Sequence, residues 1–247
     1  MNIIAIKTKP IVPGDDLLTI LDHDILKLHD GDVLAVTSKI VSICQGAVAS
    51  NDGSIDKLDL IKKEADAYLD IPLSQTYGVT ITIKNSMLVA NTGIDESNGN
   101  GYFILWPRNP FASAAAIWTH LRQKFTIHHL GVIITDSHMV PLQWGTRGRA
   151  IAWCGFEPLK NYIGTPDIFG KNLHATKASV IDGLAAAAVS IMGEGNEQTP
   201  LAIIQDMPPI SFLDRPPTKK EIDALTIAPK DDIYAPLLTS VEWKKGR

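Results

Sequence analysis

Short β-branched runs alternate along this chain with stretches whose apolar residues recur every three to four positions, and that alternation restricts the fold to the mixed α/β classes. Residues 2–7, 32–37 (DVLAVT), 131–135 (GVIIT), 149–153 and 200–204 read as strands. GVIIT has the unbroken apolar character of a strand buried on both faces, and it is expected to stop at Asp136. Leu17, Ile20, Leu21 and Ile25 mark a helix entered through Gly14-Asp15-Asp16. Leu58, Ile61, Ala65 and Tyr68 mark another over 55–68, residues 112–125 a third, and residues 175–192 a fourth with Gly193 as its C-cap. Residues 79–84 and 87–90 read as a hairpin around Asn85-Ser86, which argues against a purely parallel doubly wound sheet. The expected class is therefore α/β with a mixed, α+β-like sheet. Residues 40–48 are also rich in β-branched positions and read as a strand, which puts Ser38-Lys39 at a strand junction.

The 247 residues are 45% hydrophobic, enough for a sizeable core. A net charge of −4 removes the basic footprint that nucleic acid or an anionic membrane requires. Cys44 and Cys154 are far apart and in no CxxC spacing, so neither a disulfide framework nor a thiolate zinc site is expected, and a reducing cytoplasm fits. Met1 to Lys7 shows no signal-peptide pattern, and no apolar run approaches transmembrane length. Prolines at 208–209, 216–217, 229 and 236 break up the chain after Met207. They divide a unit of residues 1–205 from an extension of residues 206–247 that is expected to wrap over the surface.

No GxSxG, HExxH, EF-hand or GxGxxG signature is present. GTPDIFGKN at 164–172 resembles a P-loop, but its glycine spacing is wrong and Asn172 stands where a metal-binding Ser or Thr belongs. His128-His129 and Ser137-His138 are adjacent pairs whose side chains diverge on extended backbone, so neither a metal cluster nor a nucleophile and base is expected there. Trp118, Trp144, Trp153 and Phe156 read as core first, with an acceptor pocket or a subunit interface as the alternatives. The remaining signal is acidic: Asp95 in the polar loop 91–101 (NTGIDESNGNG), Asp136 after GVIIT, and Glu194 just beyond the helix ending at Gly193. If these three converge, their hard oxygens suit Mg²⁺ or Mn²⁺ carrying a triphosphate.

Four segments occur in one order: TSKIVS at 37–42, ANTGIDESN at 90–98, GVIITDS at 131–137 and MGEG at 192–195. Together with the stretches at 145–164, 167–176 and 182–195, they resemble the coenzyme F-420:gamma-glutamyl ligase family over most of the chain up to about Gln205. The resemblance implies a two-subdomain fold assembled as an intertwined homodimer, which joins L-glutamate to a deazaflavin cofactor with GTP or ATP and two divalent ions, with K⁺ as a further candidate. By motif, Asp95, Asp136, Ser137 and Glu194 would ligate metal. Ser38, Lys39 and Asn98 would meet the nucleotide, Lys39 as the catalytic group, and Pro10, Ile11, Gly193 and Gly195 would complete its pocket.

Two departures bear on this reading. Ile43-Cys44-Gln45 stands before Gly46 where the family tends to carry a second lysine and a glutamate, so one phosphate contact is expected to be missing. Residues 138–144 (HMVPLQW) replace the family's small residue, glycine and later arginine, which bears on acceptor recognition. These departures and the proline-rich extension look more like a bacterial branch associated with folate glutamylation. A non-catalytic nucleotide-binding homologue and a metal-dependent phosphate-ester hydrolase are the rival readings.

Overall fold

The computed structural model describes residues 1–71 and 78–246 of the chain, leaving Arg247 of the extension outside. In chain order the elements are β1 (Asn2–Ile6), α1 (Leu17–Asp24), β2 (Asp32–Thr37), α2 (Ser38–Cys44), β3 (Val48–Ser50), α3 (Lys57–Glu64), β4 (Ala67–Tyr68), β5 (Ile81–Lys84) and β6 (Met87–Ala90). They continue with β7 (Tyr102–Ile104), α4 (Pro110–Phe125), β8 (Leu130–Met139), β9 (Thr146–Cys154), β10 (Leu159–Asn161), β11 (Lys177–Ser179), α5 (Val180–Met192) and β12 (Leu201–Gln205). The extension adds α6 (Lys219–Asp223), α7 (Ala235–Leu238) and β13 (Lys244–Lys245).

Five strands form a central mixed sheet in the order β1-β12-β2-β8-β9. β2 and β8 run parallel, and the other neighbours are antiparallel. Alternation of side chains across the pleat divides the core in two. Leu34, Val36, Val132 and Ile134 pack with Leu21, Ile117 and Leu121 on one face. Val33, Ala35, Ile133 and Ile204 pack with Ile181, Leu184, Ala185 and Ala188 of α5 on the other. Helices on both faces explain why β2 is buried at every position except its last. A second, antiparallel sheet has the order β13-β4-β5-β6, and β6 leads directly into the loop that holds Asp95.

The mixed α/β class stands as expected, with three local corrections. The run over 40–48 is not one strand. Residues 38–44 form α2, and only Val48–Ser50 is extended. β-branched residues are weak helix formers, but Ile40, Val41 and Ile43 are all buried here, so tertiary packing outweighs propensity. Ser38-Lys39 therefore opens a helix instead of joining two strands. β8 does not end at Asp136 either: its ladder with β9 continues through Ser137↔Gly148 to Met139↔Thr146. The helices expected over 55–68 and 175–192 are shorter, at Lys57–Glu64 and Val180–Met192, because chain on the outer side of each joins a strand pair, β4 with β5 and β10 with β11.

Trp118, Trp153 and Phe156 are core residues as expected, whereas Trp144 is fully exposed in the turn between β8 and β9. The extension lies on the body of the protein, with Phe212 bridging to Phe156 and β13 pairing with β4. Among the described residues, no helix is long and apolar enough to cross a membrane.

Candidate active site

One cleft of about 900 Å³ opens where the two sheets, the start of α2 and the loop after α5 meet. Its walls include Pro10 and Ile11 from the loop after β1, Ser38 and Lys39 from α2, and Asp95 and Asn98 from the polar loop. Asp136 and Ser137 come from β8, and Gly193, Glu194 and Gly195 follow α5. Every residue singled out in the sequence as metal- or nucleotide-binding thus lines the same space.

Asp136 sits deepest among the acids. Its Oδ1 accepts a hydrogen bond from Ser38 Oγ at 3.2 Å and its Oδ2 one from Trp106 Nε1 at 2.5 Å. Burial pushes its carboxyl up to about 6 against these two donors and the Ser137 amide, which pull the other way. Trp106 was not singled out in the sequence. It is held from behind by Gly93 (φ +72°), where a Cβ would lie 1.9 Å from the indole nitrogen. The glycine of NTGIDES thus lets one loop carry Asp95 and also pin the residue that orients Asp136.

Asp95 is bound to Lys39, whose Nζ lies 2.8 Å from Asp95 Oδ2, 2.8 Å from the Ser97 carbonyl oxygen and 3.0 Å from Ser97 Oγ. Burial works against the Asp95 charge, but Lys39 and the Ser97 amide and hydroxyl outweigh it and hold the carboxyl below its ordinary range. The Ser137 hydroxyl, from the residue after Asp136, donates to Glu194, at 2.7 Å from Oε1 and 2.8 Å from Oε2, and Thr146 Oγ1 approaches Oε1 at 3.4 Å. Asn98 Nδ2 donates to the Gly195 carbonyl at 2.9 Å and so ties the Asp95 loop to the segment after α5. His138 Nδ1 is buried without a hydrogen-bond partner.

Among the described residues, no three His, Cys, Asp or Glu side chains come close enough to hold a single ion. Mg²⁺ ordinarily takes only one or two carboxylates from a protein and completes its shell with water and phosphate oxygens. Asp95 with Asp136, whose charges feel one another, and Glu194 with its hydrogen-bonded Ser137 fit that pattern as two partial sets of hard oxygen donors.

The segment with the family departure, Ile43-Cys44-Gln45, contributes only Ile43 to the cleft. Burial pushes the Cys44 thiol up to about 11. Gln45 turns away to donate to Ser113 Oγ at 2.7 Å, bracing α4. The P-loop-like stretch at 164–172 lies outside the cleft lining, with Pro166 bridged to Asn172.

The family model for F420-0:gamma-glutamyl ligase matches residues 5–206. The chain belongs to that family. The coenzyme F420:L-glutamate ligase of Methanopyrus kandleri is 31% identical over 243 residues, covering 92% of this chain and 94% of the relative. The enzyme of the same name from Haloarcula marismortui is 34% identical over 229 residues, covering 83% and 87%. That from Methanothermobacter thermautotrophicus is 32% identical over 228 residues, covering 84% and 90%. The span matched to the gamma-glutamyl ligase family takes in all the cleft residues, from Thr8 to Pro200.

Proposed function

We propose that this gamma-glutamyl ligase homologue adds L-glutamate to a carboxylate of a coenzyme F420-type acceptor, using a nucleoside triphosphate and two divalent ions. The observation that carries the reading is the meeting of Asp95, Asp136 and Glu194 with Lys39 in one cleft, within a chain whose relatives are named coenzyme F420:L-glutamate ligases. The acceptor carboxylate attacks the γ-phosphorus, the nucleoside diphosphate leaves, and an acyl phosphate forms. The neutral amine of glutamate then attacks the acyl carbon and expels phosphate, which carries off the amine's surplus proton, leaving an amide. Bound Mg²⁺ or Mn²⁺ would neutralise phosphate charge.

In this scheme the chain's own residues bind and orient the reactants. Ser38, at the start of α2, and Lys39 meet the phosphates, Lys39 supporting charge as it builds on the transferred group. Asp136 is fixed by Ser38 and Trp106, and Glu194 by Ser137. Pro10, Ile11, Asn98, Gly193 and Gly195 shape the nucleotide end.

Mass spectrometry after incubation with glutamate, GTP or ATP, Mg²⁺ or Mn²⁺, and either a deazaflavin or a tetrahydrofolate acceptor tests the proposal. A gain of glutamyl units on the deazaflavin is expected. A gain on the folate alone replaces the acceptor, and nucleotide binding without transfer to either favours a non-catalytic homologue. The proposed assembly is a homodimer, supported by the exposed apolar side chains of Leu142 and Trp144 in the β8–β9 turn. Light scattering that gives a monomer mass removes it.

A further inference from the structure

Lys39 is engaged on every hydrogen it has. An ammonium group carries three N–H donors, and Lys39 Nζ has three oxygens around it at 2.8, 2.8 and 3.0 Å: Asp95 Oδ2, the Ser97 carbonyl and Ser97 Oγ. Ser97 in turn closes on Asp95 Oδ1 through its amide at 2.7 Å and its hydroxyl at 2.9 Å. A carboxylate, a carbonyl and a hydroxyl around one positive centre are also the donor types that hard divalent cations take. With all three protons committed, Lys39 cannot contact a phosphate without leaving this seat. Asp95 Oδ2 cannot bind a cation well while the ammonium sits against it, because the two positive charges repel at short range.

From this geometry we infer that the Lys39 ammonium is a built-in placeholder for a divalent ion at Asp95, displaced when a metal–triphosphate arrives. The inference rests on the ligase reading of the cleft and adds a coupling that the reading does not contain. In the exchange, the cation takes over Asp95 while the triphosphate oxygens receive Lys39, so no charge is left unpaired at either step. Metal and nucleotide then favour one another through Lys39, and the effect is reciprocal. In wild-type protein without nucleotide, a divalent ion must evict the lysine with no phosphate to accept it, so metal alone binds weakly.

The test is direct Mn²⁺ binding, followed by electron paramagnetic resonance, to wild type, Lys39→Met and Lys39→Gln. Each protein is titrated with and without GTP or ATP, and its fold is checked by circular dichroism. Without nucleotide, both variants are expected to bind Mn²⁺ about tenfold more tightly than wild type, within the usual range for coupled sites. The extra tightening that nucleotide gives should shrink in both. Equal or weaker nucleotide-free Mn²⁺ affinity in the folded variants overturns the placeholder and leaves the ligase reading standing. Absence of Mn²⁺ binding to wild type even with nucleotide overturns both.

Discussion

At the scale of single residues, the cleft is governed by what each carboxylate is held to. Asp136→Ala removes an oxygen that the proposed site offers to a divalent ion and is expected to lower glutamyl transfer by about a hundredfold or more, read as turnover under saturating substrates. The same change leaves the Trp106 indole N–H without its partner, a cost of about 1–3 kcal/mol that urea unfolding should show near pH 4, where Asp136 is protonated and its burial carries no charge penalty.

The raised Asp136 carboxyl, near 6, has a defined sign in both binding and stability. Protons compete with a cation for it, so divalent-ion affinity is expected to fall as pH drops through 6. Without metal the folded state holds this proton more tightly than the unfolded chain does. The group's contribution to stability therefore declines as pH rises from about 4 to about 6. Trp106→Phe removes a donor that favours the charged form, so the loss of Mn²⁺ affinity on acidification should begin at a higher pH. A profile that superimposes on wild type would refute that assignment. Gly93→Ala should act on the same carboxylate from farther away, since its Cβ lands on the indole. A variant that keeps full transfer activity would show that the Gly93–Trp106–Asp136 stack is dispensable.

At the scale of elements, close approach decides what is tolerated. α5 lies against β9 at Gly148, where a Cβ would be 2.4 Å from the Ala185 carbonyl oxygen and 2.7 Å from Val189. The oxygen belongs to helix backbone and cannot swing aside, so Gly148→Ala is expected to cost about 3 kcal/mol by urea unfolding, the upper end for overpacking. Glu194, at the end of that helix, should shift with it.

Elements whose apolar period agreed with their packing were legible: α1 with its Asp16 cap, the hairpin around Asn85-Ser86, and α5 with its Gly193 terminus. α2 was not, because burial on all sides lets β-branched residues sit in a helix that propensity alone argues against. Asp95 and Glu194 were readable as acids in loops and Asp136 as the acid that follows a buried apolar run, although β8 continues past it, and the order of their motifs pointed to one cleft. Trp106 carried no such signal. Its role comes from a contact with a residue thirty positions away, which a single sequence does not display.

At the scale of the whole molecule, the cleft takes one acid from the loop of the smaller sheet, one from a strand of the larger, and one from beyond α5. Ligand that binds this composite should stabilise both sheets together. At about a hundred times its dissociation constant, a metal–nucleotide contributes roughly 2.7 kcal/mol. For a chain of this length that raises the melting temperature by about 5 °C or more, readable by scanning calorimetry. A melting point that does not move with nucleotide and Mn²⁺ would argue against a site shared between the sheets.

The central sheet also sets a schedule. β1 pairs along its whole length with β12, Asn2 opposite Gln205, and β2 pairs with β8 and β12, so the first strands to be synthesised find their neighbours only far downstream. Contacts of such long sequence separation make folding slow. At ribosomal speeds of roughly 5–20 residues per second, β1 is without its partner for about 10–40 s. In that interval Ile3, Ile4 and Ile6 are exposed to any chaperone or neighbouring nascent chain within reach.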